Sequence, residues 1–149
     1  MRRKVLVGLA CLFVAAQVIR FEQTNPPVTG DVAAPPTVQH ALRRACYDCH
    51  SNETSWPWSA SLAPISWLVH HDVTEGRTRL NFSSWDVYAS DPGTELQKLK
   101  NIEKAMAEED MPPWYYRLVH PDSKLSRSQQ EAIVGWVAAE IAGRKPAPE

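Results

Sequence analysis

The stretch Cys46-Tyr47-Asp48-Cys49-His50 decides how this 149-residue chain must be organised. Two thiols two residues apart, with an imidazole directly after the second, form the pattern to which c-type haem is attached. Each thiol adds across one vinyl group of the porphyrin, and His50 then lies under the ring, where it can bind iron. The pentapeptide predicts one covalent haem c, held by thioethers at Cys46 and Cys49, with His50 as the proximal iron ligand.

The same cysteine pair is also used in other chemistry. Thioredoxin-like enzymes place Cys-x-x-Cys in a βαβ unit, and no alternating strand pattern is visible here. Structural zinc needs four ligands, commonly from a second paired motif, whereas only Cys46, Cys49 and His50 cluster in this chain. The third cysteine, Cys11, lies in the apolar N-terminus. Haem attachment is therefore the favoured interpretation.

A methionine downstream is the best candidate for the ligand on the other side of the haem. Met111 follows a predicted helix and precedes Pro112 and Pro113. Proline restricts the preceding residue to an extended backbone, and the pair stiffens the segment. A rigid strap suits a thioether that must be held against iron, so Met111 is predicted as the distal iron ligand. The alternative is that Met111 merely fills the core, as methionines often do.

Other side chains are weaker candidates for this position. Met106 falls on the apolar face of a predicted helix and is expected in the core. His70 and His71 are neighbours on a helix and point about 100° apart, so at most one can face the haem. His120 precedes Pro121 in a polar loop.

The N-terminus predicts export. Arg2, Arg3 and Lys4 precede an apolar run over residues 5–19, so residues 1–20 are interpreted as a signal peptide or a membrane anchor. The run is short for a membrane span of about 20 residues. The excess of positive charge before it predicts that the remainder lies outside the cytoplasm, on the periplasmic side of a bacterial cytoplasmic membrane.

The remaining chain divides into three parts. Residues 21–36 are rich in proline and predict an extended tether. Residues 37–143 form the predicted haem-binding domain, and residues 144–149 form a short tail. Four helices are expected in the domain, over 37–46 and 64–80, from a Thr94–Gln97 capping box, and from Ser126 to about Gly143, with a loop over 81–91. This pattern is all-α.

Charge and aromatic content narrow the function further. Beyond residue 20 the chain holds 12 basic and 17 acidic residues, and this balance argues against nucleic-acid binding. Six tryptophans could shield a haem from water, although ordinary core packing explains them equally well. Arg77, Arg79 and Arg117 could pair with haem propionates, although exposure to solvent is the simpler expectation.

Several stretches resemble the bacterial haem-binding domain family, small cell-envelope proteins with a c-type haem motif. The first stretches are Asn25-Pro26-Pro27-Val28 and the motif itself with Ser51-Asn52-Glu53-Thr54. In the middle of the chain they are Trp56-Pro57-Trp58, Ala63-Pro64-Ile65-Ser66-Trp67-Leu68, His71-Asp72-Val73, Glu75-Gly76-Arg77, Leu80-Asn81-Phe82-Ser83 and Trp85. The last are Met111-Pro112-Pro113 and the Leu118 to Leu125 segment. The resemblance implies a cytochrome c-like helical fold with haem bound at Cys46, Cys49 and His50. Met111 resembles the family's methionine before a proline pair.

The expected function is a one-electron carrier with His/Met-ligated iron, attached to the membrane and exchanging electrons with unidentified redox proteins. Methionine ligation and burial both raise the potential of haem iron. Two alternatives stay open. One is a haem enzyme or sensor with an open or displaceable sixth position, for which His71 would be the distal base. The other is a haem-bearing module of a larger envelope complex. Electron transfer is favoured over catalysis.

Overall fold

A computed structural model of the protein describes residues 2–144, which form eight α-helices and two short 3-10 turns, at Trp58–Ser61 and Pro121–Ser123. The helices are α1 (Arg2–Ala16), α2 (Pro36–Ala45), α3 (Tyr47–His50), α4 (Ile65–Arg79), α5 (Trp85–Ala89), α6 (Pro92–Glu108), α7 (Trp114–Val119) and α8 (Arg127–Ala142). Strand-like pairing within the described part is limited to one parallel bridge between Gly30 and Ser84. The predicted all-α class is confirmed.

The core forms where α8 packs on α2 and α6, beside α3 and α5. On α2 the apolar residues fall at helical spacing, so Val38, Ala41, Leu42 and Ala45 are buried together. The same spacing on α6 buries Leu99, Ile102 and Met106. The cluster is completed by Val32, Tyr47, Leu80, Phe82, Trp85, Ile133, Trp136 and Val137. A separate contact joins α3 to α4, and it positions the pentapeptide.

Local capping signals explain where α6 and α8 begin, and two of the predictions for this part of the chain need correction. Ser126 caps α8 through a complete capping box with Gln129, as expected. The Thr94–Gln97 box on α6 was wrong, because the Asp91 carboxylate accepts the backbone N–H groups of Gly93 and Thr94 and starts the helix at Pro92. The segment predicted as a loop over 81–91 contains α5, since burial of Trp85 in the core favours a helical turn there.

The N-terminal helix stands apart from the core. α1 ends at Ala16, three residues before the apolar run does, and none of its residues is buried. Within residues 2–144, no helix combines the length and the apolar character needed to cross a membrane.

The predicted tether is extended but closely attached to the domain. Asn52 Nδ2 donates to the Pro27 carbonyl at 2.8 Å, and the Trp85 amide donates to the Gly30 carbonyl at 2.8 Å. Val32 is 3% exposed and belongs to the core. Asp31 accepts from the Tyr47 hydroxyl at 2.5 Å, so this segment reaches the pentapeptide itself. Chain beyond residue 144 lies outside the described residues.

Candidate functional site

The pentapeptide faces a cavity of about 800 Å³ between α2, α3, α4, α6 and the segment leading into α7. Cys46, Cys49, His50 and Met111 all line it. The four side chains predicted from sequence as haem ligands and attachment points are therefore brought to one place. The volume lies within the roughly 300–1,000 Å³ that is usual for cofactor and ligand pockets. Apolar side chains of Leu42, Ile102 and Met106 complete part of the wall and suit a flat hydrophobic group.

His50 is oriented by two backbone carbonyls of α4 and its end. Its Nδ1 lies 2.9 Å from the Gly76 oxygen and 3.0 Å from the Leu80 oxygen. Both partners are acceptors, so Nδ1 carries the proton and Nε2 keeps its lone pair. Burial lowers the pKa of His50 below its ordinary value, although the two carbonyl acceptors act in the opposite direction. A neutral imidazole whose other nitrogen is held by a carbonyl is the arrangement that metal-ligating histidines use.

Gly76 allows α3 and α4 to approach closely enough for this contact. A Cβ atom on residue 76 would overlap the carbonyl oxygen of Cys49 and come within 2.8 Å of its carbonyl carbon. The backbone of α4 therefore touches the backbone of the pentapeptide, and only glycine provides the space. The Gly76 oxygen is then within reach of the His50 ring.

Burial makes the two motif thiols hard to ionise. Neither is in a disulfide. Burial raises the pKa of Cys46 to about 12, and the neighbouring Cys49 adds to this. Burial also raises the pKa of Cys49 to about 12, with Asp72 and Asp48 contributing. Thiol–disulfide exchange enzymes depend on a lowered thiol pKa, so this environment does not favour the thioredoxin-like alternative.

Met111 lies on the segment between α6 and α7 and keeps 37% of its surface exposed beside the cavity. Met106 also reaches the cavity, but it is 8% exposed and belongs to the core, as its place on the apolar face of α6 predicted. Pro112 is buried behind Met111. The strap is therefore held from one side while its methionine remains at the cavity wall.

Two tyrosines that the sequence analysis missed attach this strap to the pentapeptide and to α4. The Tyr116 hydroxyl donates to Asp48 Oδ2 at 2.5 Å, and the Tyr115 hydroxyl donates to Asp72 Oδ2 at 3.0 Å. Burial raises the pKa of both phenols, to about 12 for Tyr115, so both remain donors at neutral pH. Two features of the sequence could have indicated this contact. Tyr115 and Tyr116 follow the proline pair, and the pentapeptide contains an acidic residue, Asp48.

Replacing Tyr116 by phenylalanine is expected to lower the free energy of unfolding by about 1.5–3 kcal/mol, because a hydrogen bond to a charged group is lost. The change should be measured by urea unfolding of the haem-loaded protein. Tyr88→Phe is the matched control, since the Tyr88 hydroxyl accepts only a neutral backbone amide, that of Asn81. Equal destabilisation by the two variants would contradict a special role for the Tyr116–Asp48 bond.

The three histidines considered as alternatives to Met111 lie in different surroundings. His71 lines the cavity from α4 and is exposed. His70 points elsewhere and stacks on Phe21, with ring centroids 4.2 Å apart. His120 stacks on Tyr116 with the same separation of centroids. Of the three, only His71 contributes to the cavity wall that the described residues form.

The tryptophans and arginines do not behave as one group. In the part of the chain that the structure describes, none of the six tryptophans lines the cavity. Its phenyl and phenol side chains are those of Phe82, Tyr115 and Tyr116. Of the two interpretations left open for the tryptophans, the cavity lining therefore does not support shielding of the site. Arg77 is also not at the cavity, because its guanidinium donates to the carbonyls of Ser51 and Thr24 and to the side chains of Asn25 and Thr54. It holds the N-terminal segment against the motif.

Among residues 2–144, one arginine and one lysine line the cavity. Arg79 and Lys104 line it from α4 and α6, and they could pair with carboxylates on a bound group. Arg79 makes an exposed i,i+4 ion pair with Glu75 at 3.3 Å, a kind of contact that contributes little and exchanges readily. The carboxylates of Asp72, Glu108 and Asp110 also line the opening.

Searches among curated proteins and among solved structures found no match to this chain. Comparison with protein families gave a match to a family described as a haem-binding domain, over residues 11–139. This range covers most of the chain, including the whole cavity wall and the pentapeptide. The chain therefore belongs to the haem-binding domain family.

Proposed function

We propose that this protein is a c-type cytochrome that carries one electron at a time on the outer side of the cytoplasmic membrane. Cys46 and Cys49 would hold one haem by thioether bonds, with His50 and Met111 as the iron ligands. The observation that carries the proposal is that these four side chains line a single cavity, with His50 Nδ1 bound to carbonyls and Nε2 left for iron.

When bound, the haem supplies an iron that can gain or lose one electron. The role of the chain would be to hold the two side chains that bind this iron. The Gly76 and Leu80 carbonyls hold the His50 ring in one tautomer and orientation. Tyr116, bound to Asp48, and Tyr115, bound to Asp72, hold the strap that carries Met111. With His50 and Met111 both supplied to the iron, the haem would have no vacant coordination site, which would suit electron transfer.

Replacing Met111 by leucine is expected to lower the reduction potential by on the order of 0.1 V, within the roughly 0.8 V over which axial ligands tune haem iron. It should also remove the sulfur-to-iron charge-transfer absorption. Potentiometry and optical spectra of the oxidised protein measure both. Met106→Leu is the matched control, since that sulfur is also at the cavity but lies in the core. If Met106→Leu shows the losses and Met111→Leu does not, the ligand assignment is reversed.

A second function is favoured by one observation, the presence of His71 on the cavity wall. With Met111 exposed at its strap, a displaceable sixth ligand would allow a sensor or a peroxidase-like enzyme, with His71 as the distal base. Carbon monoxide offered to the reduced protein without denaturant separates the two functions. We expect that carbon monoxide does not bind at a pH at which the protein is folded. Rapid and complete binding would favour the sensor or enzyme instead.

The surface beside the strap suits a basic redox partner. Glu108, Glu109 and Asp110 directly precede Met111, and Trp114 and Leu118 on α7 are 70% and 74% exposed. Acidic groups around an apolar centre favour a transient contact with a protein that carries a basic docking patch. Electron exchange with such a partner should slow as salt is added, since exposed charges are screened within about 10 Å at 0.1 M ionic strength.

A further inference from the structure

A second surface of the protein, remote in sequence from the strap, is uncharged and apolar. Residues 54–69 contain no acidic, basic or histidine side chain over sixteen consecutive positions. Large apolar side chains along this stretch are exposed, with Trp58 at 80%, Ile65 at 48%, Leu68 at 45% and Leu62 at 40%. Exposed apolar side chains this close together along the chain make the stretch a candidate interaction site. We call residues 58–68 the apolar face.

The apolar face adjoins the end of α1. Gln17 forms two hydrogen bonds with the backbone of Ala63, accepting from its amide at 3.0 Å and donating to its carbonyl at 3.3 Å. Gln23 donates to Ser61 Oγ at 3.1 Å, and Trp67 Nε1 donates to the Ile19 carbonyl at 3.4 Å. The N-terminal apolar run is thus fastened at its last residues to the turn and helix that carry the apolar face.

We infer that the apolar face lies in the interfacial region of the membrane to which α1 attaches the protein, so that the domain rests on lipid in one orientation. The inference rests on the proposed place of the protein at the membrane, with residues 1–20 kept as the anchor expected from the sequence, and it adds a lipid-contacting surface on the domain itself. The occupant is a phospholipid surface.

Length favours lipid over a protein partner. Even if it were helical throughout, the apolar run of residues 5–19 would be roughly 22 Å long, and α1 ends within it at Ala16, whereas the hydrocarbon layer of a membrane is about 30 Å thick. To bury that run, its last residues must sit below the lipid surface. Gln17 then brings Ala63, and with it Leu62 and Ile65, down to the headgroup level. Exposed tryptophan is a preferred side chain at that level, which accounts for Trp58.

The orientation has a consequence for the haem site. Ile65 at the start of α4 belongs to the apolar face, whereas His71, Gly76 and Arg79 further along the same helix belong to the cavity. Eleven residues separate Ile65 from Gly76, which is about 16 Å along a helix. The cavity would then be held above the lipid at a height set by α4, where a partner can reach it.

Cysteine accessibility tests the orientation on the full-length chain. Cys11→Ser removes the third thiol, and the thioethers block Cys46 and Cys49, so a single new cysteine is the only reactive site. Ile65→Cys probes the apolar face, and Val87→Cys on α5 is the matched control, with wild-type exposures of 48% and 60%. Each is bound to vesicles of phosphatidylethanolamine and phosphatidylglycerol, then treated with a polar maleimide. Rates are normalised to those in urea.

We expect position 65 to react at least about tenfold more slowly than position 87 on vesicles, because interfacial burial excludes a polar reagent. Their exposed fractions alone differ by less than twofold. Flotation of the vesicles reports attachment separately. Protein that floats while both positions react alike would overturn the orientation and leave the attachment intact. Protein that does not float would overturn both.

Discussion

Replacing both Cys46 and Cys49 by serine is expected to abolish covalent haem attachment completely. A serine hydroxyl does not form the thioether, and the side chains otherwise keep nearly the same size. The test is co-expression with a c-type maturation system, followed by denaturing electrophoresis and staining for haem. Single variants should keep one thioether and show a shifted haemochrome band, because one vinyl group stays unreacted.

Cys11→Ser is the control for this experiment, since Cys11 is exposed on α1 and does not line the cavity. It should retain full haem content. Haem that remains on the double serine variant after denaturation would refute attachment through the pentapeptide. If haem could be extracted from the denatured wild-type protein, the protein would bind haem without the covalent attachment of a c-type cytochrome.

Gly76→Ala is expected to lower the free energy of unfolding by roughly 3 kcal/mol, the upper end of the roughly 1–3 kcal/mol that overpacking costs. The new methyl group would meet the Cys49 backbone, which is not the flexible end of a side chain. Separation of α3 from α4 would also withdraw the Gly76 carbonyl from His50. We therefore expect a reduced haem yield together with a lower urea midpoint.

The matched control is Gly135→Ala on α8. A Cβ atom there meets nothing within 4 Å, so the change is free of steric cost. Alanine should stabilise the helix interior by up to about 1 kcal/mol relative to glycine. Opposite signs for the two glycine variants would support a specific backbone contact at residue 76. If both variants changed the free energy of unfolding by equal and small amounts, α3 and α4 would be able to separate without loss of stability.

Much of the fold could be predicted because its signals are local. Apolar residues at helical spacing predicted α2, α4, α6 and α8, and the Ser126–Gln129 pair predicted where α8 begins. The predictions were wrong where two nearby residues competed to cap a helix, or where a helical turn depended on contacts with distant residues. Asp91 replaced Thr94 as the cap of α6, since its carboxylate reaches two free amides. The helical turn of α5 depends on burial of Trp85 against residues far away in sequence.

The candidate site was predicted in part for the same reason. The proposed attachment chemistry involves adjacent residues, so Cys46, Cys49 and His50 could be named as candidates without a structure. The roles of Tyr116 and Arg77 were not, because their partners lie 68 and up to 53 residues away. The places of the tryptophans stayed open for the opposite reason, since composition alone does not tell whether a large aromatic side chain faces the cavity, the core or solvent.

Sequence by itself determined the helical class, the pentapeptide and the apolar start of the chain, because each depends on neighbouring residues and their spacing. Tertiary structure alone decided that Gly76 and Leu80 orient His50, that two tyrosines hold the Met111 strap, and that the apolar face adjoins α1. These contacts join residues distant along the chain, and hydrogen-bond geometry and close packing establish them only when the helices come together.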